Sequence, residues 1–141
     1  MKNNKIKLSQ SHSQRYLEMA FQTNRKKRLN DPDGYGTRTG ECGDTIEMFL
    51  TVNNDTVQQV FFETNGCVNT IVCANTVVQL SEGKPVDGAW DITEKDIIKF
   101  LGTLPSDEEH CAELAVGAFY LALSNYKKFR HGSWKKFYRT S

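Results

Sequence analysis

The sequence predicts an α+β fold in which a small antiparallel β-sheet packs against helices, and three observations carry that expectation. Over residues 45–52, Ile46, Met48, Leu50 and Val52 alternate with Thr45, Glu47, Phe49 and Thr51, the period of a strand with one buried face. Asn53-Asn54-Asp55 then suits a tight turn, and the β-rich run 56–64, with Val57, Val60, Phe61 and Phe62, closes an antiparallel hairpin. Beyond it the pattern turns helical, with start and stop residues in the right places.

Taken in order, residues 9–24 read as an amphipathic helix with Tyr16, Leu17, Ala20 and Phe21 on one side. Arg25-Lys26-Lys27-Arg28 follows. Asn30-Asp31-Pro32-Asp33-Gly34-Tyr35-Gly36 is turn chemistry and reads as a loop or hinge before the first cysteine. After the hairpin, residues 68–80 are apolar on most sides, so this helix is expected to be buried, with Gly83 to end it. Thr93-Glu94-Lys95-Asp96 resembles an N-cap and opens a short helix through Ile97, Ile98 and Leu101, stopped at Gly102. Ser106-Asp107-Glu108-Glu109 has the form of a capping box. It is expected to start a long helix whose apolar face runs Cys111, Leu114, Ala115, Ala118, Ala122 and Tyr126. The tail 129–141 is basic and aromatic, with Phe129, Trp134, Phe137 and Tyr138. Its aromatics are expected to pack on the body; stacking on single-stranded nucleic acid is the lesser alternative, and no nucleic-acid partner is expected.

The 141 residues fit a single domain spanning 1–141. A chain of this length buries about 70% of its unfolded surface and needs no disulfide staple. Four cysteines, widely scattered, do not make a secreted disulfide framework. The charged start, Met1 to Lys7, has no apolar stretch after it and does not read as a secretory signal. The longest apolar run, 114–123, is ten residues, too short for a bilayer. The expectation is a soluble, cytoplasmic protein of a reducing compartment. The net charge of +1 conceals an asymmetry. Residues 1–30 carry eight basic residues and one acid, residues 125–141 carry six basic residues and no acid, and the middle is strongly acidic. Basic ends could recognise an acidic partner, or they could be solvated surface.

Three cysteines stand at positions suited to chemistry. Cys42 lies in the turn-like run Glu41-Cys42-Gly43-Asp44, where a sulfur has little packing to gain. Cys67 follows Gly66 at the start of the apolar helix, and Cys111 follows His110 at the start of the long one. At a helix N-terminus the unpaired N–H groups favour a thiolate, whereas Glu108 and Glu109 oppose it; a bound cation would settle the competition. With 24 residues between the first two cysteines and 43 between the last two, only folding can unite them. If they meet, Asp44 and His110 add two more ligand types, and the site suits a soft metal or an iron–sulfur cluster. Each residue also has a structural reading: Cys67 and Cys111 as small core residues, Asp44 as a turn cap, His110 as a surface residue. Cys73, amid Val72, Ala74 and Val77, reads as packing.

Cys42-Gly43-Asp44, then Gly66-Cys67, then Leu104-Pro105 and His110-Cys111, resembles the IscU family, the NifU N-terminal-domain scaffolds of iron–sulfur cluster assembly. The likeness runs from the first helix to about residue 128. It implies that Cys42, Cys67 and Cys111 hold a [2Fe–2S] cluster with Asp44 close by, His110 being a further candidate ligand. It implies that the site can hold zinc when no cluster is present. It implies sulfur delivery by a cysteine desulfurase, with Cys111 as an exposed persulfide acceptor, and transfer of the cluster to apo acceptor proteins. Such a protein binds and transfers and is not an enzyme. A zinc-binding sulfur acceptor that stimulates a desulfurase is the alternative function. The family's bacterial scaffolds often carry Leu-Pro-Pro-Val-Lys, which Hsp70-type chaperones read. Here the run is Leu104-Pro105-Ser106-Asp107-Glu108, with Glu108 at the lysine position, and this places chaperone-driven release in doubt. Val68-Asn69-Thr70-Ile71-Val72-Cys73 replaces a small, serine-rich run. Neither the SufU-type insertion nor the extra NifU domains are expected, so a stand-alone, divergent scaffold is implied.

Overall fold

The computed structural model describes residues 12–131. The expected helix start at residues 9–11 and the tail aromatics Trp134, Phe137 and Tyr138 lie outside the described residues. The elements are α1 (Gln14–Phe21), β1 (Gly34–Thr39), β2 (Thr45–Asn53), β3 (Thr56–Thr64), α2 (Val68–Ser81), α3 (Val86–Ala89), α4 (Glu94–Leu101), a 3₁₀ turn (Ser106–Glu108) and α5 (His110–His131). The strands form one antiparallel sheet in the order β1-β2-β3. No helix among the described residues is long and apolar enough to cross a membrane.

The expected hairpin is present. Asn54 and Asp55, at φ of 52° and 57°, form the two-residue turn, whose left-handed conformation short polar side chains tolerate. Ile46, Met48, Leu50, Val60 and Phe62 point to the inner face and are fully buried. α5 packs on β1 and β2 there, and α2 on β3 and α5. α4 has the expected N-cap, Thr93, which Asp96 completes as a capping box, and ends at Gly102, φ 77°.

Three expectations are corrected. The loop or hinge read over residues 30–36 ends in a strand, β1, which pairs Gly34 with Leu50 and Gly36 with Met48. Its glycines serve contact rather than turning. A Cβ on Gly36 would fall 2.4 Å from Ala122 N and 2.5 Å from Ala118 O, and one on Gly34 would fall 2.5 Å from Ala122 O. α5 therefore lies directly on the strand backbone. The first helix is shorter than expected and buries Tyr16 and Met19, while Phe21 is 55% exposed. Ser13 starts it by accepting from Tyr16 N, and the buried Asn75 amide ends it by donating to Met19 O and Gln22 O at 2.8 and 3.0 Å. Finally, Ser106 does not cap α5. The chain first makes a 3₁₀ turn, with Glu108 N donating to Pro105 O at 2.9 Å, and α5 opens at His110. The apolar face expected for α5 is buried as read.

The basic run has a structural role. On the outer face Phe49 stands opposite Phe61, and both are nearly buried. Arg25 and Lys27 lie 5.3 and 5.1 Å from the Phe61 ring centre, and Arg28 lies 5.2 Å from that of Phe49. Arg25, Lys26 and Arg28 also pair with Glu82, Glu63 and Glu47. These charges are thus largely engaged with the protein itself. Glu47 further accepts from Tyr35 Oη at 2.5 Å, and this hydrogen bond, with Arg28, holds its carboxyl below the usual range.

Candidate functional site

Four segments end together at one end of the sheet. The turn joining β1 to β2 is closed by Gly40 N donating to Asp44 O at 2.9 Å and Gly43 N to Gly40 O at 3.0 Å. Gly43 adopts φ 90°, which a residue with a Cβ rarely takes. The turn leaves Cys42 exposed and Asp44 half-buried. β3 ends beside it: Thr64 Oγ1 donates to Thr45 O at 2.6 Å and accepts from Gly66 N at 3.0 Å. Cys67 is the N-cap residue of α2 and is exposed. His110 and Cys111 open α5, the histidine exposed and the cysteine fully buried.

Thr70 ties these segments together. Its hydroxyl, fully buried in the first turn of α2, donates to Asp44 Oδ2 at 3.2 Å and lies 3.5 Å from Cys111 Sγ. A Cβ on Gly66 would fall 2.5 Å from this oxygen, so the glycine leaves room for the contact. Cys42 and His110 share the wall of a cleft of about 580 Å³ with Arg38, Gly40, Glu113 and Leu114. Tyr16, from α1, donates to Asn69 Oδ1 at 2.6 Å and so braces the start of α2.

The environment of Cys111 differs from the one expected. Burial, reinforced by Glu108, pushes its thiol up to about 12, against a smaller downward pull from the Thr70 hydrogen bond. The helix terminus does not win this competition, and Cys111 is not exposed. Glu108 Oε2 stands 3.5 Å from Cys111 Sγ, and His110 Nε2 stands 3.7 Å from it. The donor atoms of these three residues lie within 4.8 Å of one another. Neither Cys42 nor Cys67 belongs to that compact group. Cys73 is buried in the core, where desolvation raises its thiol strongly.

A family model, the NifU-like N-terminal domain, matches residues 17–132. The chain belongs to this family. It is 34% identical over 101 residues to the iron–sulfur cluster assembly scaffold protein IscU of Aquifex aeolicus, an alignment covering 70% of this chain and 64% of that protein. It is 30% identical over 100 residues to the scaffold protein IscU 1 of Archaeoglobus fulgidus, covering 70% and 65%. The chain thus spans a little under two thirds of these two relatives. Among solved structures, the NifU-like N-terminal domain fold recurs in a putative SUF-system scaffold from Fervidobacterium islandicum (TM-score 0.66, 16% identity, 81% of this chain and 97% of that one). It recurs again in a NifU-like N-terminal protein from Brucella abortus (TM-score 0.66, 17% identity, 82% and 94%). The α+β expectation for a NifU-like domain holds.

Thr70 was not legible as a site residue: it stands three residues after Cys67, and that spacing does not reveal its partners Asp44 and Cys111 in other segments. Glu108 was legible as a charge near Cys111, three residues before it.

Proposed function

We propose that this NifU-like domain is an iron–sulfur cluster assembly scaffold, and that Cys42, Asp44, Cys67 and Cys111 hold a [2Fe–2S] cluster as its cargo. The observation that carries the reading is the Asp44–Thr70–Cys111 chain of contacts, which joins the Cys42 turn, the Cys67 helix start and the His110–Cys111 helix start. The donor set fits the cargo: thiolates bind iron strongly, and a carboxylate is a hard, exchangeable ligand. In this reading a cysteine desulfurase supplies sulfur. The Cys111 thiolate attacks the outer sulfur of the donor persulfide, the donor S–S bond breaks, and the desulfurase cysteine leaves as a thiolate. Because Cys111 is buried with a raised pKa, this step requires its proton to be displaced, which a bound cation would do. Zinc is a plausible occupant of the cluster-free site by the same donor chemistry.

Anaerobic reconstitution with ferrous iron and sulfide tests the proposal. The wild-type chain should develop visible charge-transfer bands with two irons and two sulfides per cluster. Cys42→Ser, Cys67→Ser and Cys111→Ser should each lower the yield about tenfold or more, while Cys73→Ser should leave it intact. Equal yields from all four variants would sink the ligand assignment.

The cluster would then pass to apo acceptor proteins without an Hsp70-type chaperone. Asp107, Glu108 and Glu109 place three carboxylates in the 103–109 segment. A peptide of residues 103–109 should bind such a chaperone at least about tenfold more weakly than Leu-Pro-Pro-Val-Lys peptides, a loss of about 1.4 kcal/mol or more in all. Equal affinity by fluorescence anisotropy would overturn this.

A further inference from the structure

A second cleft, of about 450 Å³, lies where α1, the end of α2, α3 and α4 meet, and none of the candidate cluster ligands lines it. Its volume is that of a small-molecule site. Leu80, Ile92 and the ring of Phe100 form its apolar part. Asp96, Lys99 and Phe100 share the cleft side of α4 because they stand three and four residues apart on the helix. Three cations rim the cleft: Arg15 from α1, Lys84 from the turn after α2, and Lys99. The Arg15 guanidinium lies 4.8 Å from the centre of the Phe100 ring. The backbone of Lys84 is fixed, its N donating to Ser81 O at 3.0 Å and its O accepting from Val57 N at 2.8 Å.

This charge is concentrated against the composition around it. Residues 31–124 hold four basic residues, Arg38, Lys84, Lys95 and Lys99, against sixteen acidic ones, and two of the four line this cleft. Amid such an excess of carboxylates a surface cation readily finds a partner, as Arg25, Lys26, Arg28 and Arg38 do. Among the described residues, no ion pair engages Arg15, Lys84 or Lys99. The cleft has two carboxylates of its own. Asp96 is occupied in capping α4, accepting from Thr93 N at 2.9 Å and from Thr93 Oγ1 at 3.1 Å, with its charge set against the positive end of the helix. Asp91 alone opposes the three cations.

We propose that this cleft binds a nucleoside phosphate, with its phosphates on Arg15, Lys84 and Lys99 and its base over Leu80, Ile92 and Phe100. The site is separate from the cluster site and does not rest on the scaffold reading. An inorganic anion would leave the apolar floor bare, and a neutral aromatic molecule would leave three cations unanswered. A ligand with both parts uses the whole cleft. The arginine fork matches phosphate oxygens in pairs, and each lysine acts as a point charge with rotatable donors. The Phe100 ring and the guanidinium beside it offer a flat, polarisable surface on which any base can lie.

ATP is the probe, titrated calorimetrically into the full chain in buffer containing EDTA, so that no metal can bridge the nucleotide to the cysteines. Binding is expected with a Kd below about 1 mM. Tripolyphosphate and adenosine each carry one half of the ligand and should bind at least about tenfold more weakly. Lys84→Gln and Lys99→Gln, both at exposed side chains, should each weaken ATP by about fivefold through the loss of a charge-assisted hydrogen bond. Lys95→Gln removes the same charge on α4 outside the cleft and should stay within about twofold of wild type. Phe100→Leu should weaken ATP and leave tripolyphosphate unchanged. No heat of binding up to about 5 mM ATP would overturn the proposal. So would tripolyphosphate binding as tightly as ATP, or an equal loss in Lys95→Gln, since either marks a diffuse anion patch. Cluster reconstitution in the Lys84→Gln/Lys99→Gln double variant should match wild type, so this site and the scaffold reading stand or fall separately.

Discussion

Gly36→Ala should cost this protein about 3 kcal/mol of stability, the upper end of the usual range for overpacking. The new Cβ would lie 2.4 Å from Ala122 N, 2.5 Å from Ala118 O and 2.8 Å from Leu121 C. All three are backbone atoms of α5, so no side chain can swing aside. Either β1 leaves β2 or α5 lifts from the sheet. A native domain has only about 5–15 kcal/mol in hand. For a chain of this size the loss corresponds to a melting point lower by roughly 10 °C. Gly88→Ala is the control, because its Cβ would meet nothing closer than Pro85 Cδ at 3.9 Å, and it should melt within a degree or two of wild type. Thermal unfolding by circular dichroism reads both. A Gly36→Ala protein that melts with the control would show that α5 does not rest on β1. The substitution should also damage the site, since β1 leads into the Cys42–Asp44 turn and α5 begins at His110–Cys111.

That pairing of strand and helix explains what the sequence revealed and what it hid. The β2–β3 hairpin was legible because alternation and a turn of short polar residues are local signals. α2 and α4 were legible because their ends carry residues whose conformations are specific, Gly83 and Gly102 at positive φ and the Thr93–Asp96 box. β1 was hidden because Gly34 and Gly36 look alike whether they turn a chain or admit a neighbouring helix. The basic run at 25–28 read as surface charge open to a partner because nothing local links it to Phe49 and Phe61, which it covers. Ser106 had the residues of a capping box, but Pro105 and the 3₁₀ turn took the chain another way.

The site divides along the same line. Its cysteines and Asp44 were legible as motif positions at the ends of elements. Cys111 carried two readings, core residue on the apolar face of α5 and exposed thiol at a helix start, and the fold bears out the first. Thr70 could not be found at all without the fold: its partners Asp44 and Cys111 are 26 and 41 residues away. The run around it departs from a small, serine-rich pattern, and the hydroxyl that results is the one that fastens two candidate ligands to each other.

Asp44→Ala should yield a cluster that survives longer in air and transfers more slowly, by about tenfold in each rate. The carboxylate is the hard member of an otherwise sulfur-rich set, so it is the ligand that iron gives up most readily. A scaffold must let go of its product, and a weak ligand is one way to do so. Removing Asp44 also frees the Thr70 hydroxyl, whose other neighbour is Cys111 Sγ at 3.5 Å. That hydroxyl then bonds the sulfur alone, and hydrogen bonds to cluster sulfurs alter cluster stability and potential. Thr70→Val separates the two effects, because it keeps the carboxylate and deletes the link. If Asp44 acts as a ligand, Thr70→Val should leave cluster lifetime within about threefold of wild type while Asp44→Ala lengthens it, a difference of a kcal/mol or so in the barrier. His110 stands beside Cys111 and can occupy a vacated position, so Asp44→Ala/His110→Ala should depart from the sum of the single effects. Decay of visible absorbance in air and the rate of transfer to an apo ferredoxin measure all five proteins, His110→Ala alone included. Identical decay and transfer in wild type and Asp44→Ala would reduce Asp44 to a turn residue held by Thr70 and leave the fourth ligand unassigned.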